Sequence, residues 1–260
     1  MNRVVYLLYA AILAFFAVFL VYPLVYLVKA GLWLDGRFDP IFVQLVWINP
    51  ISRSHLWNSL LLGLWTVVFS SAVAIPLAFL TVRYRFWGQQ LFQGLILISI
   101  VLPPFVSAIG IKQLFAQYGA LTLLLDRLGL AEGPVDWLGG GFGSVVFLEA
   151  LHLYPILYLN VAAALANIDP AQEEAALAAG APPRRVLRTI TLPLLAPGYF
   201  AGAIIVFVWA FTDLGVPLIL HFDGVLPMRI FNALQDIYVN PIGYAMVLWV
   251  LVIALAAFFA

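Results

Sequence analysis

The stretch Glu174-Ala-Ala-Leu-Ala-Ala-Gly180, followed after nine residues by Ile190-Thr-Leu192-Pro193, interrupts a chain that is otherwise strongly apolar. It begins with a charge, continues with good helix formers and reaches a glycine that can end a helix. Long apolar runs stand on both sides of it. We therefore expect this stretch to lie outside the lipid and to contact a partner in the water, while the runs around it decide the fold class.

Composition identifies the solvent of this protein. Hydrophobic residues make up 65% of the 260 residues, charged residues 9%, and the mean hydropathy is +1.08. A soluble domain of this size could not bury so much apolar surface, so lipid must cover most of it. The absence of cysteine excludes disulfides, thiolate nucleophiles and Cys-ligated metals. A net charge of zero argues against a nucleic-acid partner, which would require a basic excess.

The apolar runs predict an all-α, polytopic membrane protein with about six transmembrane helices of roughly 20 residues each. The runs are Val4–Val28, Ser59–Val82, Leu91–Leu114, Val145–Ala166, Leu194–Leu214 and Gly243–Ala260. The first run is too long for a cleavable signal and lacks a small-x-small site, so we expect it to be retained. The last run reaches Ala260 without a polar flank, which predicts that the polypeptide continues beyond it.

Basic residues near the ends of the spans predict the orientation. If the spans alternate, six basic residues fall on each side. One set is concentrated in short segments: Arg3, Arg83, Arg85, Arg184, Arg185 and Arg188. The other set lies mostly in long loops beside acidic residues: Lys29, Arg37, Arg53, Lys112, Arg127 and Arg229. We therefore expect a cytoplasmic N-terminus and a cytoplasmic segment at Asn167–Pro193.

Strong local signals predict a short helix at the start of this segment. Asp169 is suited to the N-cap, Pro170 to the first helical position, and Gln172 to the third position of a capping box. Gly180 ends the helix as a left-handed C-cap. The small alanine side chains let another surface approach closely, as in helix-in-groove recognition.

A second short helix is predicted to begin at Pro182-Pro183, to carry the basic residues of the segment, and to end before Pro193, where the fifth span starts. Taken by themselves, these features also fit an ordinary charged loop that joins two spans. Local chemistry alone leaves both readings open.

The order of the residues resembles the EAA motif of permease subunits of type I ATP-binding-cassette (ABC) importers. In this motif Glu-Ala-Ala is followed by three residues, Gly, nine residues and Ile-x-Leu-Pro. Every fixed position is matched here, by Glu174, Ala175, Ala176, Gly180, Ile190, Leu192 and Pro193. The resemblance implies that a coupling helix at Asp169–Ala179, with Glu173 among its coupling residues, docks into a cleft of a cytoplasmic ATPase subunit.

Weaker similarities to the same family extend over the chain from Asn58 onward. They lie at Asn58-Ser59, Leu102-Pro103-Pro104, Phe211-Thr-Asp213-Leu-Gly215 and Asn240-Pro241-Ile-Gly-Tyr244. The resemblance implies a permease domain at 58–260, with the EAA loop at 167–193, behind a first transmembrane helix and periplasmic loop at 1–57. The fine pattern looks most like ferric-iron importer permeases, which often carry two homologous halves. This chain would then be the N-terminal half of a longer permease.

The resemblance also implies a location, partners and cargo. It implies a multi-pass protein of the cell inner membrane that works with a cytoplasmic ABC ATPase dimer, a periplasmic substrate-binding protein and a second permease half or copy. Ferric iron is the leading cargo. Polyamine, sulfate and aminoalkylphosphonate permeases are similar, so these cargoes stay open as alternatives.

Polar groups and prolines within the spans are candidate pathway residues. Asp213 and Gly215 mark a predicted break at the end of the fifth span, and Pro103-Pro104 frees backbone carbonyls in the third. These four are candidates for a pathway or gate, although a helix-end carboxylate and a packing kink explain them equally well. Glu149 and His152 share one helix face, where we favour mutual satisfaction or a bond to nearby backbone over a pathway role.

No cofactor, metal or catalytic site is predicted in the chain itself. The run Gly139-Gly-Gly-Phe-Gly143 lacks the Lys-Ser/Thr of a phosphate loop and a preceding strand, so ATP is expected to be used by the partner ATPase alone. The three histidines are too scattered for a metal site. An intramembrane enzyme would need a nucleophile with a base, and an ion-driven secondary transporter would leave the EAA pattern unexplained.

Overall fold

The computed structural model of the chain describes residues 3–34, 36–130, 133, 135–234 and 242–259, apart from the side chains of Arg3 and Leu34. Its helices are α1 (Arg3–Phe16), α2 (Tyr22–Leu32), α3 (Ile41–Ile48), α4 (Pro50–Arg83), α5 (Gln89–Val101), α6 (Pro104–Phe115), α7 (Ala120–Arg127), α8 (Phe142–Ala166), α9 (Pro170–Ala178), α10 (Pro183–Val186), α11 (Leu192–Thr212), α12 (Gly215–Ile219), α13 (Leu226–Ala233) and α14 (Ile242–Phe259). Two strands, β1 (Trp33–Leu34) and β2 (Arg37–Phe38), pair antiparallel. The predicted Asn240-Pro241 lead and Ala260 lie outside the described residues.

Six segments of the described chain are long and apolar enough to cross a membrane, judged by length and composition. They are Val4–Leu32, Pro50–Arg83, Pro104–Arg127, Phe142–Ala166, Pro183–Thr212 and Ile242–Phe259. The predicted all-α, six-span fold class is confirmed.

The third predicted span, Leu91–Leu114, is wrong as a single helix. The chain breaks at Leu102 and Pro103, which are both extended, and Pro104 begins a new helix at once. Two consecutive prolines remove two backbone donors and exclude the preceding residue from helical geometry, so the first helix has to end. The segment of spanning length is Pro104–Arg127, and Gln89–Val101 is a shorter apolar helix.

The second short helix of the cytoplasmic segment also differs from the prediction. It does not end before Pro193: α10 continues through a π-helical turn at Leu187–Thr191 directly into α11. The N–H of Leu192 bonds to the carbonyl of Leu187, which is the wider i→i+5 pattern. A second π turn, Ala17–Val21, stands at the same distance before Pro23. Widening the turn ahead of a proline relieves the clash between its ring and the preceding carbonyls, so the helix continues.

Contacts divide the chain into two compact units, residues 1–56 with 229–260, and residues 57–228. In the first unit, α14 packs on α2 and α3. A Cβ added to Gly31 would lie 2.6 Å from the Leu248 side chain, which shows how closely α2 and α14 approach. The Trp249 indole donates a hydrogen bond to the Val43 carbonyl at 3.0 Å. The domain division predicted at residues 57 and 58 stays a prediction.

The second unit is built around the α8–α11 pair, which makes the most extensive helix contact in the described chain. A Cβ on Gly198 would lie 2.5 Å from the Ala164 Cβ, and one on Gly202 would lie 2.8 Å from the Asn160 Cβ. These glycines form a Gly-x-x-x-Gly pattern, which lets two membrane helices approach closely. The sequence reasoning overlooked this motif, although its spacing is visible in the chain.

The same unit contains a second apolar cluster where α6, α8 and α12 meet, with Ala108, Leu148 and Val216 almost fully buried. The start of α4 holds the chain that follows α12. Asn58 donates to the Gly224 carbonyl at 2.7 Å, and Ser59 accepts from the Leu226 N–H at 2.8 Å. The pair Asn58-Ser59, singled out by resemblance, therefore fixes this loop.

Candidate functional site

The EAA stretch forms α9, a nine-residue helix without a buried residue. Asp169 is its N-cap: the carboxylate accepts a hydrogen bond from the Ala171 N–H at 3.0 Å, and Pro170 occupies the first turn. The expected capping box is not formed. The Gln172 N–H bonds to the Asp169 carbonyl at 3.2 Å and not to its side chain, so the helix has a simple N-cap.

Gly180 ends α9 as the sequence predicted. Its φ is +86°, a left-handed conformation that L side chains rarely adopt. The Gly180 N–H bonds to the Leu177 carbonyl at 2.9 Å and the Ala181 N–H bonds to the Ala176 carbonyl at 3.0 Å. This pair of bonds is the Schellman motif, which satisfies carbonyls at the end of the helix. Both ends of α9 are therefore capped, which offsets part of the cost of forming a short helix without a buried residue.

The motif residues lie on two connected elements. Glu174 and Ala175 are exposed on α9, with Ala176 half-buried beside them. The remaining motif positions lie in the π turn and at the start of α11: Ile190, Leu192 and Pro193. Because α9 contacts α10 and the π turn, the folded chain places the two parts of the motif on neighbouring elements. The role of these residues in ATPase coupling stays a prediction.

A polar link joins α9 to two spans. The Arg83 guanidinium, at the end of α4, donates two hydrogen bonds of 2.6 Å to the two carboxylate oxygens of Glu173. The hydroxyl of the buried Thr191, in the π turn before α11, donates a third bond of 2.6 Å to the same carboxylate. The hydrogen bond from Arg83 is the main reason why the pKa of Glu173 lies below its usual range. The carboxylate is therefore ionised at neutral pH.

Sequence reasoning did not find this link. From the sequence, Arg83 is expected only to set the orientation, and Glu173 is expected to be a coupling residue with no partner named within the chain. The two residues are 90 positions apart and Thr191 is 18 positions from Glu173, so no local pattern predicts that they meet. Only the packing of α4, α9 and α11 brings the three side chains together.

The predicted pathway residues come together at the end of α11. The helix ends at Thr212, Asp213 is extended, and α12 begins at Gly215. The Asp213 carboxylate accepts a hydrogen bond from the Val216 N–H at 2.8 Å and so caps α12. A Cβ on Gly215 would lie 3.6 Å from the Cβ of Phe105, the residue after Pro103-Pro104. The two predicted helix breaks are therefore neighbours, and the carboxylate caps a helix end.

Glu149 and His152 of α8 face this region. Glu149 is fully buried, its carboxylate oxygens accept no N–H or hydroxyl hydrogen bond from the described residues, and its carboxyl group interacts with that of Asp213. The Nδ1 atom of His152 has no hydrogen-bond partner among the described residues, and its ring lies edge-on to Trp209 with centroids 6.5 Å apart. The expected mutual satisfaction of this pair is wrong. Asp213 interacts electrostatically with both groups, so the three side chains form a polar cluster within the spans.

Within the described ranges, no three acidic or histidine side chains are grouped so that they could hold a metal ion. That the chain holds no metal ion stays a prediction. Whether the chain binds a cofactor stays a prediction.

The relatives found by comparison with known sequences include molybdenum and ferric permeases. The molybdenum transport system permease protein ModB of Haemophilus influenzae is 33% identical over 165 residues, which are 62% of this chain and 68% of that protein. The ferric transport system permease protein FbpB of Actinobacillus pleuropneumoniae is 30% identical over 220 residues, which are 82% of this chain and 31% of that protein. The chain thus spans about a third of the length of this ferric relative.

Comparison with solved structures supports the fold. A bacterial alginate ABC transporter, in complex with an alginate pentasaccharide-bound periplasmic protein, matches 97% of this chain and 91% of its own, with a TM-score of 0.76 at 19% identity. The MetNI methionine ABC transporter in an inward-facing conformation matches 83% of this chain and 94% of its own, with a TM-score of 0.60 at 16% identity.

The family assignment rests on a match to the model of a protein family. Residues 70–260 match the model of a single protein family, and this range includes α9, the π turn before α11 and the Asp213 break. The chain belongs to the family of binding-protein-dependent transport system inner membrane components, the permease subunits of ABC importers.

Proposed function

We propose that α9 is the coupling helix through which this permease engages a cytoplasmic ABC ATPase. The observation that carries the proposal is an exposed Glu174 on a helix that is capped at both ends. The adjacent Ala175 side chain is small and exposed, so a partner surface can reach the backbone closely. The proposal places α9 and the N-terminus in the cytoplasm, in agreement with the basic residues in the short segments.

The mechanism we infer is alternating access. ATP binding closes two ATPase subunits together, and α9 moves with the subunit into which it is docked. Moving a two-state permease from about 1:99 to 99:1 requires roughly 5.5 kcal/mol of differential binding. ATP and the partner supply this free energy. The chain contributes α9, which we expect to move as one piece because both of its ends are capped by hydrogen bonds.

Several partners follow from this proposal. A periplasmic substrate-binding protein would deliver cargo to the side opposite α9, and a second permease half or copy would complete the path. Asp213 with Gly215 and Pro103 with Pro104 are proposed to line or gate that path, because their helix breaks adjoin each other. Glu149 lies on the helix beside them and is the strongest additional candidate.

We propose ferric iron as the cargo. The support is the extent of similarity: the ferric relative aligns over 82% of this chain, against 62% for the molybdenum relative. Molybdate is the second candidate, because the shorter match has the higher identity, 33% against 30%. Molybdate was absent from the cargoes expected from the sequence.

The docking proposal is tested by purification of the permease with its ATPase. We expect the ATPase to copurify, and its ATP hydrolysis to rise when the permease is present. Glu174→Lys should abolish copurification and transport while the spans stay folded. Glu174→Gln removes the charge but keeps the size of the side chain, so it shows whether docking depends on the charge or on the shape of this residue. Copurification and uptake at the wild-type level in Glu174→Lys would contradict the docking role.

The cargo proposal is tested separately in lipid vesicles that contain the complete importer and its binding protein. ATP-dependent uptake of radiolabelled ferric iron is expected, with no uptake of radiolabelled molybdate. The reverse result would establish the second candidate and leave the coupling role of α9 untouched. Uptake driven by an ion gradient without an ATPase would contradict both and would favour a secondary transporter.

A further inference from the structure

We propose that the Glu173 carboxylate connects α9 firmly to two spans, and we call this connection the internal joint. Through Arg83 it passes the movement of α9 to the end of α4, and through Thr191 to the start of α11. This inference rests on the proposed coupling role of α9. It adds which spans receive the movement and through which atoms.

The joint is needed because α9 has no apolar anchor. None of its residues is buried, so hydrophobic packing does not fix it to the spans. The carboxylate of Glu173 instead accepts three short hydrogen bonds, two from Arg83 and one from Thr191. A bidentate guanidinium–carboxylate pair has a defined direction as well as strength. The Glu173 side chain is only 15% exposed, so water screens this pair less than a fully exposed one.

Arg83 and Thr191 connect Glu173 to α4 and α11, and α11 ends at the candidate path. From Arg83, α4 runs back to Asn58 over about 37 Å at 1.5 Å per residue. There Asn58 and the adjacent Ser59 hold the loop before α13. Beyond Thr191, α11 runs to Asp213, where the chain breaks beside α6. A displacement of the Glu173 carboxylate therefore acts on α4, which holds this loop, and on α11, which ends beside the proposed path.

Neighbouring carboxylates have different tasks in this arrangement. Glu173 is turned toward the spans and engaged by two of them, whereas Glu174 is exposed. Successive residues of an α-helix point about 100° apart, so one helix can face a partner and its own protein at once. Charge changes at Glu174 should disturb docking, whereas changes at Glu173 should leave docking intact and disturb transmission.

The experiment uses Arg83→Glu, Glu173→Arg and the double charge swap in the assembled importer. We expect each single variant to copurify with the ATPase while ATP hydrolysis stimulated by the binding protein falls about tenfold, within the usual range of coupling between sites. The double variant should recover most of this stimulation, because the ion pair is rebuilt with reversed polarity. If a charge reversal prevents folding, Glu173→Gln carries the same expectation.

A second measurement follows the movement itself. The chain has no cysteine, so Tyr84→Cys and Ala178→Cys, both at exposed positions, give a clean pair of spin-label sites at the end of α4 and on α9. With Glu173 present, we expect the same narrow distance distribution without nucleotide and with ATP. In Glu173→Arg the distribution should broaden or shift with ATP, and it should narrow again in the charge swap.

Arg85→Glu is the matched control. It makes the same charge change two residues from Arg83, at an exposed side chain without a hydrogen-bond or ion-pair partner among the described residues, and wild-type behaviour is expected. The proposal would be overturned if the single variants showed wild-type stimulation of ATP hydrolysis. It would also be overturned if a folded double variant did not recover this stimulation. Loss of ATPase copurification in the single variants would also overturn it, since the pair would then act in docking. Failure of wild-type permease to bind an ATPase would instead refute the proposed function.

Discussion

The α8–α11 pair and the α9 segment lie in the same unit but are held together in opposite ways. α8 and α11 are joined by close packing of buried apolar side chains, and glycines at 198 and 202 let their backbones approach. α9 buries no residue. It is held by the caps at its two ends and by the Glu173 carboxylate, which accepts three hydrogen bonds. The first region is therefore sensitive to volume, and the second to charge and backbone conformation.

A glycine in each region illustrates the difference. Gly180, at the end of α9, has open space around its Cβ position but a φ of +86°. A Cβ on Gly198, in α11, would meet the Ala164 Cβ at 2.5 Å, and its φ is not in the left-handed region. Conformation requires glycine at the first position, and space requires it at the second. The α8–α11 pair is suited to act as the rigid body and α9 as the part that a partner can move.

The largest effect is expected for Gly180→Pro. Proline cannot adopt a positive φ, it removes the bond to the Leu177 carbonyl, and it disfavours the helical geometry of Ala179, so the end of α9 should lose about 3 kcal/mol. We expect transport to be abolished while the spans keep their thermal stability, measured by vesicle uptake and by unfolding in detergent. Gly180→Asn, which tolerates the left-handed region, should retain most activity. Wild-type uptake in the proline variant would remove the distinction between the two regions.

Gly198→Ala is expected to have the next largest effect. The added methyl group meets a Cβ that has no flexible side chain to move away, so α8 and α11 must separate, at a cost of about 1–3 kcal/mol. Thermal unfolding in detergent should show the loss. Ala164→Gly removes the opposing atom and should restore part of the stability in the double variant. Gly94→Ala in α5, where the Cβ would meet nothing within 4 Å, is the control. Equal stability of all these variants would contradict close packing.

Asp169→Ala tests the other end of α9 with a smaller effect. Removal of the cap from the Ala171 N–H should cost about 1 kcal/mol, which corresponds to roughly fivefold faster amide exchange in the first turn. Hydrogen exchange of α9 in the purified permease measures this. Asp169→Asn keeps an acceptor and should exchange at nearly the wild-type rate. Equal protection in wild type and Asp169→Ala would contradict the role of this cap in ordering the helix.

The smallest effect concerns pH. Because hydrogen bonding to Arg83 lowers the pKa of Glu173, its stabilising contribution is complete above the ordinary glutamate pKa of about 4.3 and is lost only as pH falls through the lowered value. The distance between labels at positions 84 and 178 should therefore be the same at pH 8 and pH 6. A broader distribution at pH 6 would show that the carboxylate is protonated there and that the link to α4 is weaker than its geometry indicates.

Much of this molecule could be predicted from local patterns. The six spans follow from runs of apolar residues, and the helix ends at Asp169 and Gly180 follow from cap chemistry within a few residues. The Gly198-x-x-x-Gly202 pattern was equally local and was overlooked. The third span was placed as one helix although Pro103-Pro104 had been recognised as an interruption, because hydropathy averages over a window and does not register a missing backbone donor.

The amino-acid sequence by itself determined the solvent, the number of spans and the shape of α9, because each depends on composition or on residues close together in the chain. The tertiary structure decided what each side chain meets. It buried Glu149 close to Asp213, placed the two helix breaks beside each other, and joined Arg83, Glu173 and Thr191 in one polar link. Such contacts depend on how distant helices pack, and the hydrophobic period of a single helix contains no information about the polar residue that will face it.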